Sequence, residues 1–129
     1  MALETSIQSD ILDYINSLPQ GRAENVSGNA QQSGRADINA CIAGRTFKIE
    51  VKTEDTAYGR KGATTKQRLY LEKWARAGAV SCVVYSVGDV AYVISKVFDV
   101  LLPVHNIPHL SGRGKWYDVQ NKRWVDIPY

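Results

Sequence analysis

Cysteine, histidine and long apolar runs are all scarce in this chain, and each scarcity excludes a class of protein. Cys41 and Cys82 lie in apolar, strand-like runs with no second Cys or His at a metal-ligand spacing. A disulfide scaffold and a zinc site are therefore excluded, and two buried free thiols are expected. His105 and His109 are four positions apart, but Pro103 and Pro108 disfavour the helix that would make them a metal pair. A loop or packing role is preferred for both. No apolar stretch approaches the roughly 20 residues that a spanning helix needs. The opening "MALETSIQSD" has neither the basic nor the apolar region of a signal peptide. A cytoplasmic protein with no membrane partner is the expectation. Neither charge sign dominates, since 16 basic and 13 acidic residues leave a net charge of +3. Overall charge alone does not announce a nucleic-acid partner.

What is present describes one globular domain over 1–129, with 44% hydrophobic and 22% charged residues and no internal repeat. Ile7, Ile11, Tyr14, Ile15 and Leu18 recur at helical spacing over 4–18, and Pro19 with Gly21 ends the pattern. The following "QGRAENVSGNAQQSG" is polar enough to read as a loop. "RADINACI" (35–42) and "RTFKIEVK" (45–52) alternate with period two around Ala43-Gly44, a β-hairpin signature. "TTKQRLYLEKWARAGA" reads as a threonine-capped helix stopped at Gly78. "VSCVVYS" and "VAYVIS" read as strands joined at Gly88-Asp89, the first apolar enough to be central. On this reading Tyr85 and Tyr92 sit in paired strands. "KVFDVLL" reads as a short helix ended by Pro103, and "KWYDVQNKRWVDIPY" as a terminal hairpin. The expected class is α/β, a mixed sheet flanked by helices.

The chemistry concentrates in the first hairpin. With a two-residue turn at Ala43-Gly44, Ile42 faces Arg45, and counting outward sets Asp37 opposite Glu50 on one face, side-chain bases roughly 5 Å apart. Phe47, Ile49 and Val51 take the other face of the second strand, leaving Lys48, Glu50 and Lys52 together. Directly opposed like charges destabilise a sheet, so the acid pair needs a reason. A divalent cation supplies one, because Mg²⁺ is held by one or two carboxylates plus water and substrate phosphate. Lys52 then sits at the metal's edge, where an ammonium orients attacking water or offsets charge in the transition state.

"GRADI" (34–38), "FKIEVKT" (47–53), a Gln early in the next helix and "AGAV" before an apolar strand resemble the PD-(D/E)XK nuclease superfamily, within it the VRR-NUC branch and its small stand-alone members. The resemblance covers roughly residues 4–95; the extension over 96–129 lies beyond it. It implies a restriction-endonuclease-like core in which Asp37 and Glu50 bind Mg²⁺ or Mn²⁺, the Val51 carbonyl adds a ligand and Lys52 is the catalytic lysine. Gln67 would orient Lys52 or the scissile phosphate, and Glu4 would be a further acid near the metal. The position before Asp37 is Ala36 where the family usually has proline, a difference of backbone shape and not of chemistry.

The stretch "YGRKGATTKQR" carries Arg60, Lys61, Lys66 and Arg68 and no acid. It reads as a mobile basic loop beside the site, suited to a phosphate backbone. The tail aromatics Trp116, Tyr117, Trp124 and Tyr129 either stack on unpaired bases or, as preferred, pack on the domain or a second subunit. The expectation is a metal-dependent DNA endonuclease acting on structured DNA such as four-way junctions, as a homodimer with no small-molecule cofactor. The rivals are a sequence-specific restriction-type enzyme and a non-catalytic DNA-binding module on the same fold.

Overall fold

The computed structural model describes residues 3–26, 34–99 and 109–128. Helix α1, Glu4–Ser17, forms where the isoleucine spacing demands it and buries Ile7, Ile11 and Ile15. The chain then enters strand β1, Gly21–Asn25, which pairs antiparallel with β2, Ile38–Ile42. This corrects the loop expected over 20–34, of which residues 27–33 lie outside the described residues. "GRAEN" lacks apolar alternation because β1 is an edge strand with little to bury. Asn16 of α1 closes part of that edge: its Oδ1 accepts from the Ala23 N–H at 2.9 Å and its Nδ2 donates to the Ala23 carbonyl at 3.2 Å. A side chain thereby takes the place another strand would occupy.

Ala43 (φ 49°) and Gly44 (φ 82°) make the tight turn into β3, Arg45–Val51, and Ile42 faces Arg45 as the sequence requires. Strand β2 starts three residues later than the period-two run suggests, so Asp37 lies immediately before the ladder. From β3 the chain crosses over through the one-turn helix α2, Ala57–Arg60, and helix α3, Thr65–Arg76, into β4, Val80–Val84, parallel to β3. All five residues of β4 are buried, as a central strand should be.

After β4 comes helix α4, Val87–Phe98, where the sequence reading placed a second strand. The β-branched run is compatible with both periods, since Val87, Val90, Val93, Ile94 and Val97 also fall on one helical face. The Ser86 Oγ accepts from the Asp89 N–H at 3.2 Å, so Gly88-Asp89 is the first turn of a capped helix and not a hairpin turn. Tyr92 accordingly lies on α4, while Tyr85 follows β4 and is buried. Of the separate helix expected over "KVFDVLL", Lys96, Val97 and Phe98 are the end of α4, which is capped at Asp99 in the left-handed region. Residues 100–108, with Pro103, His105 and Pro108, lie outside the described residues.

The C-terminal hairpin forms as expected from β5, Lys115–Asp118, and β6, Arg123–Asp126. Strand β5 pairs antiparallel with β4, giving one mixed sheet in chain order β1 to β6. One face carries Ile38, Ala40, Phe47, Ile49, Val51, Cys82 and Val84 beneath α1 and α4. Leu71 of α3 packs with Ala36, Val83 and Tyr85 on the other. Cys82 is buried, but Cys41 is exposed, correcting the expectation of two buried thiols. It points away from Ala40 and Ile42 on a strand that α3, lying over β3 and β4, does not cover.

The segment before β5 is fastened by Asp89, which is fully buried. Its carboxylate accepts from the Tyr85 N–H (2.9 Å), the Ser111 N–H (3.0 Å) and the Ser111 Oγ (2.6 Å). Gly114 passes so close that a Cβ there would lie 2.8 Å from Asp89 Oδ2. Asp89→Ala strands two buried backbone donors, at about 1–3 kcal/mol each. The expected result is a loss of about 2–5 kcal/mol in urea unfolding, with faster amide exchange in β5 and β6; an unchanged midpoint contradicts it.

Candidate active site

The side chains brought together on the α3 side of the sheet come from three elements. The ladder of β2 and β3 ends at Ile38 and Ile49. One step beyond, where a longer ladder would place a backbone carbonyl, Asp37 Oδ2 accepts from the Val51 N–H at 2.8 Å. That bond fixes the Asp37 carboxyl, whose charge is felt by the neighbouring Glu50. The Glu50 Oε2 accepts from Gln67 Nε2 at 3.1 Å and lies 3.5 Å from Lys52 Nζ. Glu50 and Lys52 are each only 2% exposed, with Gln67 of α3 reaching Glu50.

Gln67 is held from both ends. Its backbone N–H donates to Thr64 Oγ1 at 3.1 Å, its Oε1 accepts from the Thr64 N–H at 2.9 Å, and its Nε2 reaches Glu50. The same residue completes a capping box and clamps an acid. Its partner is Glu50, where the family resemblance suggested Lys52 or a phosphate.

The electrostatics follow from a buried carboxyl, Glu50, beside a half-buried one, Asp37. Burial, reinforced by the charge of Asp37 and opposed by Lys52, pushes the Glu50 carboxyl up to about 9. Burial also raises Asp37, against the pull of the Val51 N–H. Glu4, in the first turn of α1, is raised by burial and then by the charge of Asp37. The pair thus holds a proton near neutrality, and Glu50 Oε1 is buried without a hydrogen-bond partner. An orphaned carboxylate oxygen beside a second carboxyl fits a divalent cation, which would replace the proton and give Oε1 a ligand. Among the described residues no three His, Cys, Asp or Glu side chains form a ready metal cluster. The donor set is therefore a carboxylate pair, suited to an oxygen-seeking ion that keeps water and substrate ligands.

Two aromatic contacts at the site had no counterpart in the sequence reading. Lys48 Nζ lies 3.7 Å from the Trp74 ring centroid and donates to Asn39 Oδ1 at 2.9 Å. Lys52 Nζ lies 5.0 Å from the ring centroid of Tyr58. An aromatic beside Gly and two cations in "YGRK" was the available signal for Tyr58.

Arg60, Lys61, Lys66 and Arg68 are all exposed, but the expected loop is partly helical. Thr56 caps α2 with its Oγ1, and Arg60 donates to the Glu54 carbonyl at 2.8 Å. Arg68 folds back onto the Ala63 carbonyl and Thr65 Oγ1, both at 3.3 Å. The tail aromatics pack on the domain: Trp124 Nε1 donates to Glu72 Oε2 at 2.8 Å, its ring meets Tyr117 edge-on at 5.3 Å, and Trp116 packs against the core. Tyr129 and His105 lie outside the described residues, and the His109 carbonyl accepts from Ser86 Oγ at 3.0 Å.

A solved structure titled "VRR_NUC domain protein" shares this fold with a TM-score of 0.57 at 22% identity, over 77% of this chain and 91% of that one. The chain therefore has a VRR-NUC-like fold, a mixed sheet with flanking helices. No protein-family profile matches the sequence, and no curated protein does.

A carboxyl raised in the folded state keeps a proton that the unfolded chain has already lost. The Glu50 contribution to stability without metal is therefore full below about pH 4.5 and is lost as pH rises toward 9, by at most about 1.4 kcal/mol per pH unit for one proton. In thermal melts Mn²⁺ should stabilise the protein more at pH 8 than at pH 5, and Glu50→Gln should flatten the slope and remove the metal effect. A Glu50→Gln melt that keeps the wild-type pH slope contradicts the assignment.

Proposed function

We propose that the protein is a Mg²⁺- or Mn²⁺-dependent endonuclease that hydrolyses DNA phosphodiesters, with structured DNA such as four-way junctions as substrate. The observation that carries this reading is the unpartnered Glu50 Oε1 beside Asp37, with the Lys52 amine 3.5 Å from the other Glu50 oxygen. Asp37 and Glu50 would hold the ion, the Val51 carbonyl would be a further ligand, and Glu4 would lie in the surrounding acidic shell. When bound, the ion supplies a Lewis acid that lowers the pKa of water and neutralises phosphate charge. Lys52 keeps a donor at the site, aimed where negative charge grows on the phosphoryl oxygens. Gln67 fixes the Glu50 rotamer, and the Val51 N–H fixes Asp37. Arg60, Lys61, Lys66 and Arg68 contact backbone phosphates, so affinity falls as salt rises.

One chain carries one such site, and cutting two strands of a branched substrate needs two. A homodimer in the cytoplasm is the working unit on this reading, with the fold as support for a nuclease-type domain.

The test is cleavage of a synthetic four-way junction and a plasmid side by side in Mg²⁺ and Mn²⁺. Junction cutting whatever the flanking sequence is expected, abolished by chelation. Asp37→Ala and Lys52→Ala should each lower it by about 10²-fold or more while DNA binding survives. Discrete plasmid fragments at a fixed short sequence would identify a restriction-type enzyme instead, and DNA binding without cleavage in either ion would identify a non-catalytic module.

A further inference from the structure

Tyr58 presents its ring to solvent at 62% exposure, directly beside a lysine that is almost wholly buried. The backbone beneath it is clamped. Thr56 Oγ1 accepts from the Gly59 N–H at 2.9 Å, Tyr85 Oη donates to the Gly59 carbonyl at 2.5 Å, and Arg60 donates to the Glu54 carbonyl. Gly59 approaches Thr53 so closely that a Cβ would lie 1.8 Å from its carbonyl oxygen. This turn is tied down by these contacts, yet the ring it displays contributes nothing to either core cluster.

The surroundings state what would meet such a ring. Arg60 and Lys61 follow in the same turn, both exposed, and no acid occurs from Tyr58 to Leu71. The carboxyl pair and Lys52 lie on the inner side of the ring. A ligand with a flat π-face, carrying a phosphate toward the site and further phosphates toward the cations, matches all of these features. A nucleotide of a nucleic-acid strand has that build, and stacking of its base needs the base to be unpaired or unstacked.

We infer that Tyr58 is a base-stacking platform for the nucleotide next to the bound phosphate, and that it selects strands whose bases are already unstacked. The inference rests on the nuclease reading for the identity of the phosphate, and deepens it by naming the state of the substrate. Tyr58 acts as a specificity-determining residue. An unpaired nucleotide at a branch point satisfies it, whereas continuous duplex does not.

The experiment uses the full chain in EDTA, bound to a single-stranded DNA oligonucleotide carrying 2-aminopurine at each position in turn. One position should be quenched by the wild type and by Tyr58→Phe but not by Tyr58→Ala. Binding by Tyr58→Ala should weaken about 5- to 150-fold. An abasic nucleotide at the quenched position should cost the wild type a similar factor and Tyr58→Ala nothing more. Absence of any quenched position, or a Tyr58→Ala defect that persists undiminished on the abasic strand, overturns the inference, the second result assigning the ring to Lys52 alone. Cleavage is read separately: a wild type that stacks a base and cuts nothing defeats the nuclease reading and leaves the platform standing. Cleavage that Tyr58→Ala leaves unchanged on single-stranded and duplex DNA alike defeats the platform and leaves the nuclease.

Discussion

Glu50 is buried with Asp37 half-buried beside it, where two negative charges cannot coexist without a counter-charge, and much of the surrounding structure serves to keep them there. The Val51 N–H holds one carboxyl and Gln67 Nε2 the other. Lys52 supplies half of the compensation, and a proton or a cation must supply the rest. A fold selected only for stability would place apolar groups here, since an orphaned buried oxygen is costly. The cost is the argument for a ligand. Nothing in the packing requires an acid at position 50, whose strand neighbours Ile49 and Val51 already anchor β3 in the core.

The rest of the sheet can be understood as the frame for that pair. The positive-φ turn at Ala43-Gly44 sets the register that brings Asp37 to the end of the ladder. The parallel pairing of β3 with β4 forces a crossover, and the crossover lays α3 over the polar face so that Gln67 reaches Glu50. Lys48, Glu50 and Lys52 are buried for this reason, although alternation alone marks theirs as the polar face. On the far side, Asp89 fixes the segment that leads to β5, so the C-terminal hairpin is part of the same sheet and not an appendage.

The hairpin and its acid pair were legible because a two-residue turn converts sequence distance into spatial opposition, a rule with few exceptions. Helices α1 and α3 were legible from spacing and caps. Strand β1 was not, because an edge strand satisfied by Asn16 needs no apolar alternation. Helix α4 was misread because a run of Val and Ile has high β-propensity, while its capping Ser86 and its fit beneath the sheet decide otherwise. The roles of Gln67 and Tyr58 depend on where α3 and α2 land after the crossover. Such long-range placement leaves only the residue type to read.

The most direct test of the account is an anomalous difference map from crystals soaked in Mn²⁺. The account predicts one strong peak between the Asp37 and Glu50 carboxyls, in contact with Glu50 Oε1. Manganese bound only elsewhere, with Glu50 still protonated or paired to Lys52 alone, would contradict it.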